Sequence, residues 1–464
     1  MDVTNQLLDF ASKFNYEDHT QQAIDAAKKN ILNILGISLA GSSEPSSKKV
    51  ANLVMEWGGS QDSAIIANNC KVPAHEAALA NGTMARSLNL DEVHPPTGSH
   101  PFASIVPATL AVSEKRIDVT GKEFVNAIIL GAEIVCRMRQ VPDFCLAVSG
   151  WVSEIYTVFG VAVAAARIMR LNREEISNAL GLAYSQASGN AQAVYDGAMA
   201  YQVQQGFAAR SGIISAEMSA KGITGSSNFL EGKAGLYPVY YRCLDYNINR
   251  IVEDIGEKYR IEEMFIRSYP VSGFLQAPVE NIITIINENN LSEEDIDEVL
   301  LRVNNRMYRH VCIPSENKYR PKTIIDAMFS LPFVIGNVIL KGSLTPEDFS
   351  KEAIVDEIRL SSADKVKAFV DDDVERESIE SGLSVSLHIA EVRTKSGKTI
   401  TRKLKFAKGS PQRPMSIEDC GNKARNWISR CIKPFPEAQL DKLIAIISNI
   451  ENERSVKKIA EIMS

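Results

Sequence analysis

The chain has 464 residues, 45% hydrophobic and 23% charged, the balance of an ordinary globular protein, which excludes disordered, collagen-like and low-complexity classes. Its 51 basic residues against 57 acidic ones give a net charge of -6, which removes the electrostatic footprint of a protein that lives on nucleic acid. At roughly 150 residues per domain, the length suits two large domains or about three smaller ones.

The first residues carry Asp2 and Asp9 and no basic cluster ahead of a long apolar run, so no targeting segment is expected. The longest apolar stretch, near Val158 to Ala166, is too short to cross a bilayer, so no membrane partner is expected either. Seven cysteines (Cys70, Cys136, Cys145, Cys243, Cys312, Cys420, Cys431) lie far apart without a Cys-x-x-Cys pair. That argues against a disulfide framework and against an iron–sulfur or structural zinc site, and makes a reducing cytoplasm the expected home.

In chain order, residues 1 to about 225 read as successive helices, because apolar positions recur at three and four and alanine is abundant. Asp18 or Thr20 is the expected cap of a helix running through Ala23, Ile31 and Leu35 and ending near Gly41. Further helices are expected over 74–89, 103–115, 121–138, 154–170, 173–188 and 201–221. After Arg260 the texture changes. Glu298 to Asn304 and Val385 to Val392 alternate with period two, and the second run leads through Lys395-Ser396-Gly397-Lys398 into Thr399 to Phe406, which reads as a hairpin. Helices around 277–289 and 323–340 alternate with these strands, and a Gly/Pro-rich link at 408–414 precedes a helical tail over 417–463.

The densest polar stretch is Leu90-Asp91-Glu92-Val93-His94-Pro95-Pro96-Thr97-Gly98-Ser99-His100-Pro101, which joins two expected helices and holds two of the six histidines beside two carboxylates. A loop held by prolines and glycines between rigid helices can fix an acid and a base within hydrogen-bond reach of one another. Pro101 suits the first turn of the next helix, so His100 is expected beside a helix N-terminus that can receive an anionic group. The plainer alternative is that Asp91 and His94 bond each other and cap helix ends. Asp91, His94 and His100 are competent metal ligands, but their spacing matches no established metal motif, and no metal is expected.

The stretch Asn81 to Glu114, NGTMARSLNLDEVHPPTGSHPFASIVPATLAVSE, resembles the MmgE/PrpD family. So do Phe159-Gly160 with the Ala-rich run to Leu171, Gly206 to Gly225, Tyr269-Pro270-Val271-Ser272, Ala327 to Pro332, and Lys408 to Ser416. The resemblance covers nearly the whole chain in order. It implies a mainly α fold: a large all-helical domain, residues 1–265 with 405–464 returning to it, plus a smaller α+β lid domain, 266–404, usually in a homodimer. It further implies a cofactor-independent lyase or isomerase, of the dehydratase, decarboxylase or epimerase type, that moves a proton next to a carboxylate or carbonyl of a small polycarboxylate.

Carried over residue by residue, Asp91 and His100 match the Asp and His-Pro of the family's active-site loop, with His94 and Thr97 between them. Elsewhere the sequence departs from the family. Trp151 stands at or near a family His, Tyr201 and Arg267 stand at family lysines, Gln276 at a further His, and Val279-Glu280 at Ile-Asp. Arg267 can bind a carboxylate but not act as a base, and Gln276 can hydrogen-bond but not shuttle protons. The expected catalytic set is therefore His100, Asp91, Tyr201 and His94, with Arg267, Gln276, Lys322, Trp151 and Thr97 toward substrate. The same departures support the alternative of a repurposed member that binds a ligand without chemistry, or acts on a larger, less charged substrate.

Overall fold

The protein is described by a computed structural model covering residues 2–142, 150–242, 245–381 and 387–464. Cys145, Cys243 and the start of the strand expected from Val385 lie outside the described residues. The chain forms two compact units, one made of 1–193, 199–266 and 415–464, the other of 194–198 and 267–414. Helices dominate, with only small sheets, so the fold is mainly α.

In the first unit, Thr20 Oγ1 accepts from Ala23 N and starts the helix Gln21–Gly41, as the capping residue and apolar spacing require. The helices Ala74–Ser87, Phe102–Arg116, Gly121–Arg139, Glu154–Ile168 and Ala200–Ser219 pack on one another as the core. Small residues set two close crossings. A Cβ on Gly131 would stand 2.6 Å from Gly160 O, and one on Gly206 would stand 2.4 Å from Leu79 O. The second crossing fixes Ala74–Ser87 against Ala200–Ser219 at backbone distance, and this brings Arg86, one turn beyond Gly82, to Tyr201. The tail is three helices, Ile417–Trp427, Glu437–Ser448 and Lys457–Met463, separated by short breaks that include Pro434 and Pro436. Two helices, Val3–Lys13 and Pro45–Trp57, and a short hairpin, Ser63–Ile65 with Cys70–Val72, add to the expected set.

The second unit is built on a four-stranded sheet, in the order Val366–Val370, Ile296–Val303, His388–Thr394, Thr399–Leu404. The first pair is parallel and the others are antiparallel, the last being the hairpin read from the sequence. Ile296, Val299, Leu301 and Val303 alternate inward, where the helices Gln276–Glu288 and Leu331–Lys341 meet the core of this unit. The expected helix over 323–340 is broken at Phe329-Ser330. Ser330 caps Leu331–Lys341 by accepting from Phe333 N, with Pro332 in the first turn, so the chain restarts a helix there. Among the described residues, no helix is long and apolar enough to cross a membrane.

Candidate active site

The loop after Ala74–Ser87 reverses at Asn89, whose φ of 54° is left-handed. This turn drops Asp91 beneath Arg86, and the tail pins it there: Lys423 Nζ donates to Leu90 O at 2.8 Å and to Asn33 Oδ1 at 2.7 Å. Glu92–Val93 pairs with Phe265–Ile266, and Glu92 Oε1 accepts from Phe102 N at 2.8 Å, placing a carboxylate on the N-terminus of Phe102–Arg116. His94 N donates to Ser99 O at 2.9 Å, closing a turn that needs Gly98 at φ 70°. The chain then reaches His100 and Pro101 and enters the helix.

Four side chains meet in this loop. Arg86 Nη1 donates to Asp91 Oδ2 at 2.6 Å, and its Nη2 donates to Tyr201 Oη. Its guanidinium carbon also sits 4.6 Å from the centre of the Tyr201 ring, so the arginine both bonds and stacks. Tyr201 Oη donates to Asn89 Oδ1 at 3.2 Å. His100 Nδ1 lies 3.0 Å from Asp91 Oδ2, against the Glu92 carbonyl oxygen, and 3.2 Å from Arg86 Nη1. Two acceptors at 3.0 Å or less face Nδ1 against one donor, Arg86 Nη1 at 3.2 Å, which favours the proton on Nδ1 of the neutral ring and the lone pair on Nε2. Asp91 is fully buried and the Arg86 side chain 4% exposed, whereas the His100 side chain is 13% exposed. Of these three groups, His100 has the greatest access to solvent.

The electrostatics follow from burial and pairing. Burial alone would push the Arg86 guanidinium down, but Asp91 and Tyr201 beside it hold it above its ordinary value, so it remains a fixed cation. Arg86 Nε is buried without a hydrogen-bond partner among the described residues. Asp91, between Arg86 and His100, has the geometry to orient the imidazole and stabilise it when protonated.

The remaining sequence candidates lie as follows. His94 is buried, with Nδ1 bonded to Thr97 Oγ1 at 2.7 Å, and Thr97 Oγ1 is bonded to Ser99 Oγ at 2.8 Å. Burial pushes His94 down while Glu263, 3.5 Å from Nε2, pulls it up. Trp151 is half-buried with its ring 4.7 Å from that of Tyr240. In the second unit, Gln276 is engaged on four sides. Its Oε1 accepts from Ser268 N and Tyr269 N, and its Nε2 donates to Tyr269 O and Val271 O, so it clamps the Ser-Tyr-Pro-Val turn. Arg267 is buried, with Nη1 3.5 Å from Val271 O, and Lys322 is exposed just before the cap Thr323.

Arg86, Asn89 and Lys423 are members or supports of this cluster that the sequence reading passed over. Arg86 stands in the resemblance stretch itself, but spacing alone does not show that it faces a residue five positions on. Lys423 is invisible locally because it acts from the far end of the chain.

A helical unit thus brings an Asp–His couple in one loop together with a guanidinium and a phenol from two helices. Residues 5–248 match the MmgE/PrpD N-terminal domain and residues 269–449 the MmgE/PrpD C-terminal domain. The chain belongs to the MmgE/PrpD family. It is 25% identical over 368 residues to the cis-aconitate decarboxylase of Aspergillus terreus, covering 75% of this chain and 74% of that protein. It is 24% identical over 293 residues to the cis-aconitate decarboxylase-like protein oryM of Aspergillus oryzae, covering 60% of each. The family thus contains lyases.

Proposed function

We propose that the protein is a lyase or isomerase that moves a proton to or from a carbon next to a carboxylate or carbonyl of a small polycarboxylate. The observation that carries this reading is the placement of His100 Nδ1 at 3.0 Å from Asp91 within contact of Arg86. Asp91 and the Glu92 carbonyl hold the imidazole as the Nδ1–H tautomer, so Nε2 is the base. When Nε2 takes a proton, the imidazolium is stabilised by Asp91, and the fixed charge of Arg86 favours enolate-like negative charge nearby. Tyr201, bonded to that same guanidinium, completes a site with one base, one carboxylate, one cation and one phenol. The relatives named for cis-aconitate decarboxylation support the polycarboxylate class.

The test is deuterium incorporation from heavy water into a panel of small acids (citrate, 2-methylcitrate, cis-aconitate, iminodisuccinate and malate-like compounds), read by NMR. Exchange or turnover is expected on at least one, and His100→Ala should remove it. A folded protein that exchanges none of them would overturn the polycarboxylate reading.

A further inference from the structure

One buried titratable group of the first unit takes no part in the contacts described above. Glu154 opens the helix Glu154–Ile168 and is 3% exposed. Its Oε1 accepts from Gln205 Nε2 at 2.9 Å and its Oε2 from Ser153 Oγ at 3.2 Å. Both donors are neutral, and among the described residues no guanidinium or ammonium is bonded to it. Buried carboxylates normally have a cation in direct contact, because an uncompensated charge away from water is costly.

The bonds around Glu154 lead back to the His100 site. Ser104 Oγ lies against the side-chain and backbone oxygens of Gln205, which turns the amide nitrogen of Gln205 toward Glu154. Ser104 is in the first turn of Phe102–Arg116, the helix entered through His100 and Pro101. Gln205 lies four positions after Tyr201 on Ala200–Ser219, on the same helix face. Glu154 is thus tied to both elements that frame His100 and Tyr201.

We infer that Glu154 is a positioning residue of this site, a buried carboxyl whose own proton sets how tightly His100 holds its proton. The inference rests on His100 being the base of the proposed reaction. Burial raises Glu154 from its ordinary carboxylate value, with Arg86 pulling it down and Asp91 pushing it up. While Glu154 is neutral, the Arg86 and Asp91 charges balance. Once it ionises, the buried cluster gains a negative charge and His100 becomes the stronger base.

The charged groups on the elements packed against this seam include Arg139, buried on Gly121–Arg139, with Lys122 paired to Glu17 at 2.7 Å and Glu123 to Arg170 at 3.0 Å. His100 faces Arg86, Asp91 and the Glu92 carbonyl oxygen. On the helices packed against Glu154–Ile168, Glu133 and Arg137 bond each other at 2.9 Å, and Arg210 bonds Glu76 at 2.7 Å. Lys115 bonds Glu217 at 2.9 Å, Arg116 lies 3.2 Å from Asp118, and Glu114 bonds Lys71 at 2.7 Å. Arg173 bonds Asp9 at 2.8 Å, and the amides of Glu174 and Glu175 are capped by Asn172.

The test follows the Cε1–H resonance of His100 against pH in the whole protein labelled with 13C-histidine, with His100→Gln supplying the assignment. The unaltered protein should titrate in two steps. Glu154→Gln, which keeps the shape and the acceptor for Gln205, should titrate in one step with a midpoint lower by about half a pH unit, roughly a threefold weaker hold on the proton. A single step in the unaltered protein, or superimposed curves for the two proteins, overturns the inference. The curve of the unaltered protein decides alone if the variant does not fold. No substrate enters this measurement, so its failure is separate from a failure of the polycarboxylate reading, which only the exchange panel can show.

Discussion

The loop around His100 in the first unit and the turn held by Gln276 in the second use their polar side chains differently. In the loop of the first unit, charged and polar side chains bind one another: Arg86 holds Asp91 and Tyr201, and Asp91 holds His100. Among the polar side chains of the second unit, Gln276, Lys318 and His310 bind backbone. Gln276 takes up the turn at 268–271, Lys318 Nζ donates to Phe329 O at 2.9 Å at the end of Ile324–Met328, and His310 Nδ1 donates to Arg306 O at 2.7 Å with its ring stacked on Phe274 at 4.8 Å. A side chain bonded to its own backbone satisfies buried carbonyls and amides and shapes the chain. Side chains bonded to one another, at partial exposure, leave a proton that can move. That difference separates a candidate for chemistry from a candidate for architecture, even when both were drawn from the same sequence motif.

The largest effect is expected at His100. Replacing it by alanine should lower proton exchange by roughly 10²–10⁴-fold, the usual contribution of a positioned acid–base group, while the thermal midpoint moves little because the ring is partly exposed. Arg86→Met should cost stability instead, about 3–5 kcal/mol by urea unfolding, because Asp91 is then buried without its cation. A cost near zero would show that Asp91 is neutral in the folded protein.

Gly206→Ala tests whether the helix crossing creates the site. The added methyl would meet Leu79 O at 2.4 Å, so about 1–3 kcal/mol of stability should be lost and the Arg86–Tyr201 contact displaced, with exchange falling alongside. Gln276→Ala should free two amides and two carbonyls of the 268–271 turn. A loss on the order of 1–3 kcal/mol and faster amide hydrogen exchange confined to that turn are expected.

The smallest effect is a pH slope. Burial lowers His19, His94 and His310 from the ordinary 6.5, so below that pH the unfolded chain binds more protons than the folded one. Stability should therefore hold above about pH 6.5 and fall as the pH drops through the folded values. Urea midpoints measured on either side of that value, with His94→Gln flattening part of the slope, check the sign.

Much of this was legible in the sequence. Most helices of the first unit, though not Val3–Lys13 or Pro45–Trp57, announce themselves by apolar spacing and caps such as Thr20, and the hairpin 388–404 by alternation around Gly397. The strand Val366–Val370 was not legible, because it lies at the sheet edge with most of its side chains exposed and gives no apolar alternation. The contact between Asp91 and His100 is readable because both lie in one short loop. Tyr201 entered only through the family resemblance. The contacts of Arg86, Lys423 and Glu154 could not be read locally, since each bonds a partner that the fold delivers from elsewhere in the chain or across a reversal of its direction. Gln276 was visible as a polar residue, but whether its amide faces a ligand or its own turn depends on backbone geometry that spacing does not encode.

The role of His100 as the base depends on which of its nitrogens carries the proton. Nitrogen-15 NMR of the labelled protein, recorded above the titration of the ring and assigned with His100→Gln, reads this directly. The arrangement of Asp91 and the Glu92 carbonyl around Nδ1 predicts the Nδ1–H tautomer with an unprotonated Nε2. An Nε2–H tautomer would contradict it and remove His100 as the base.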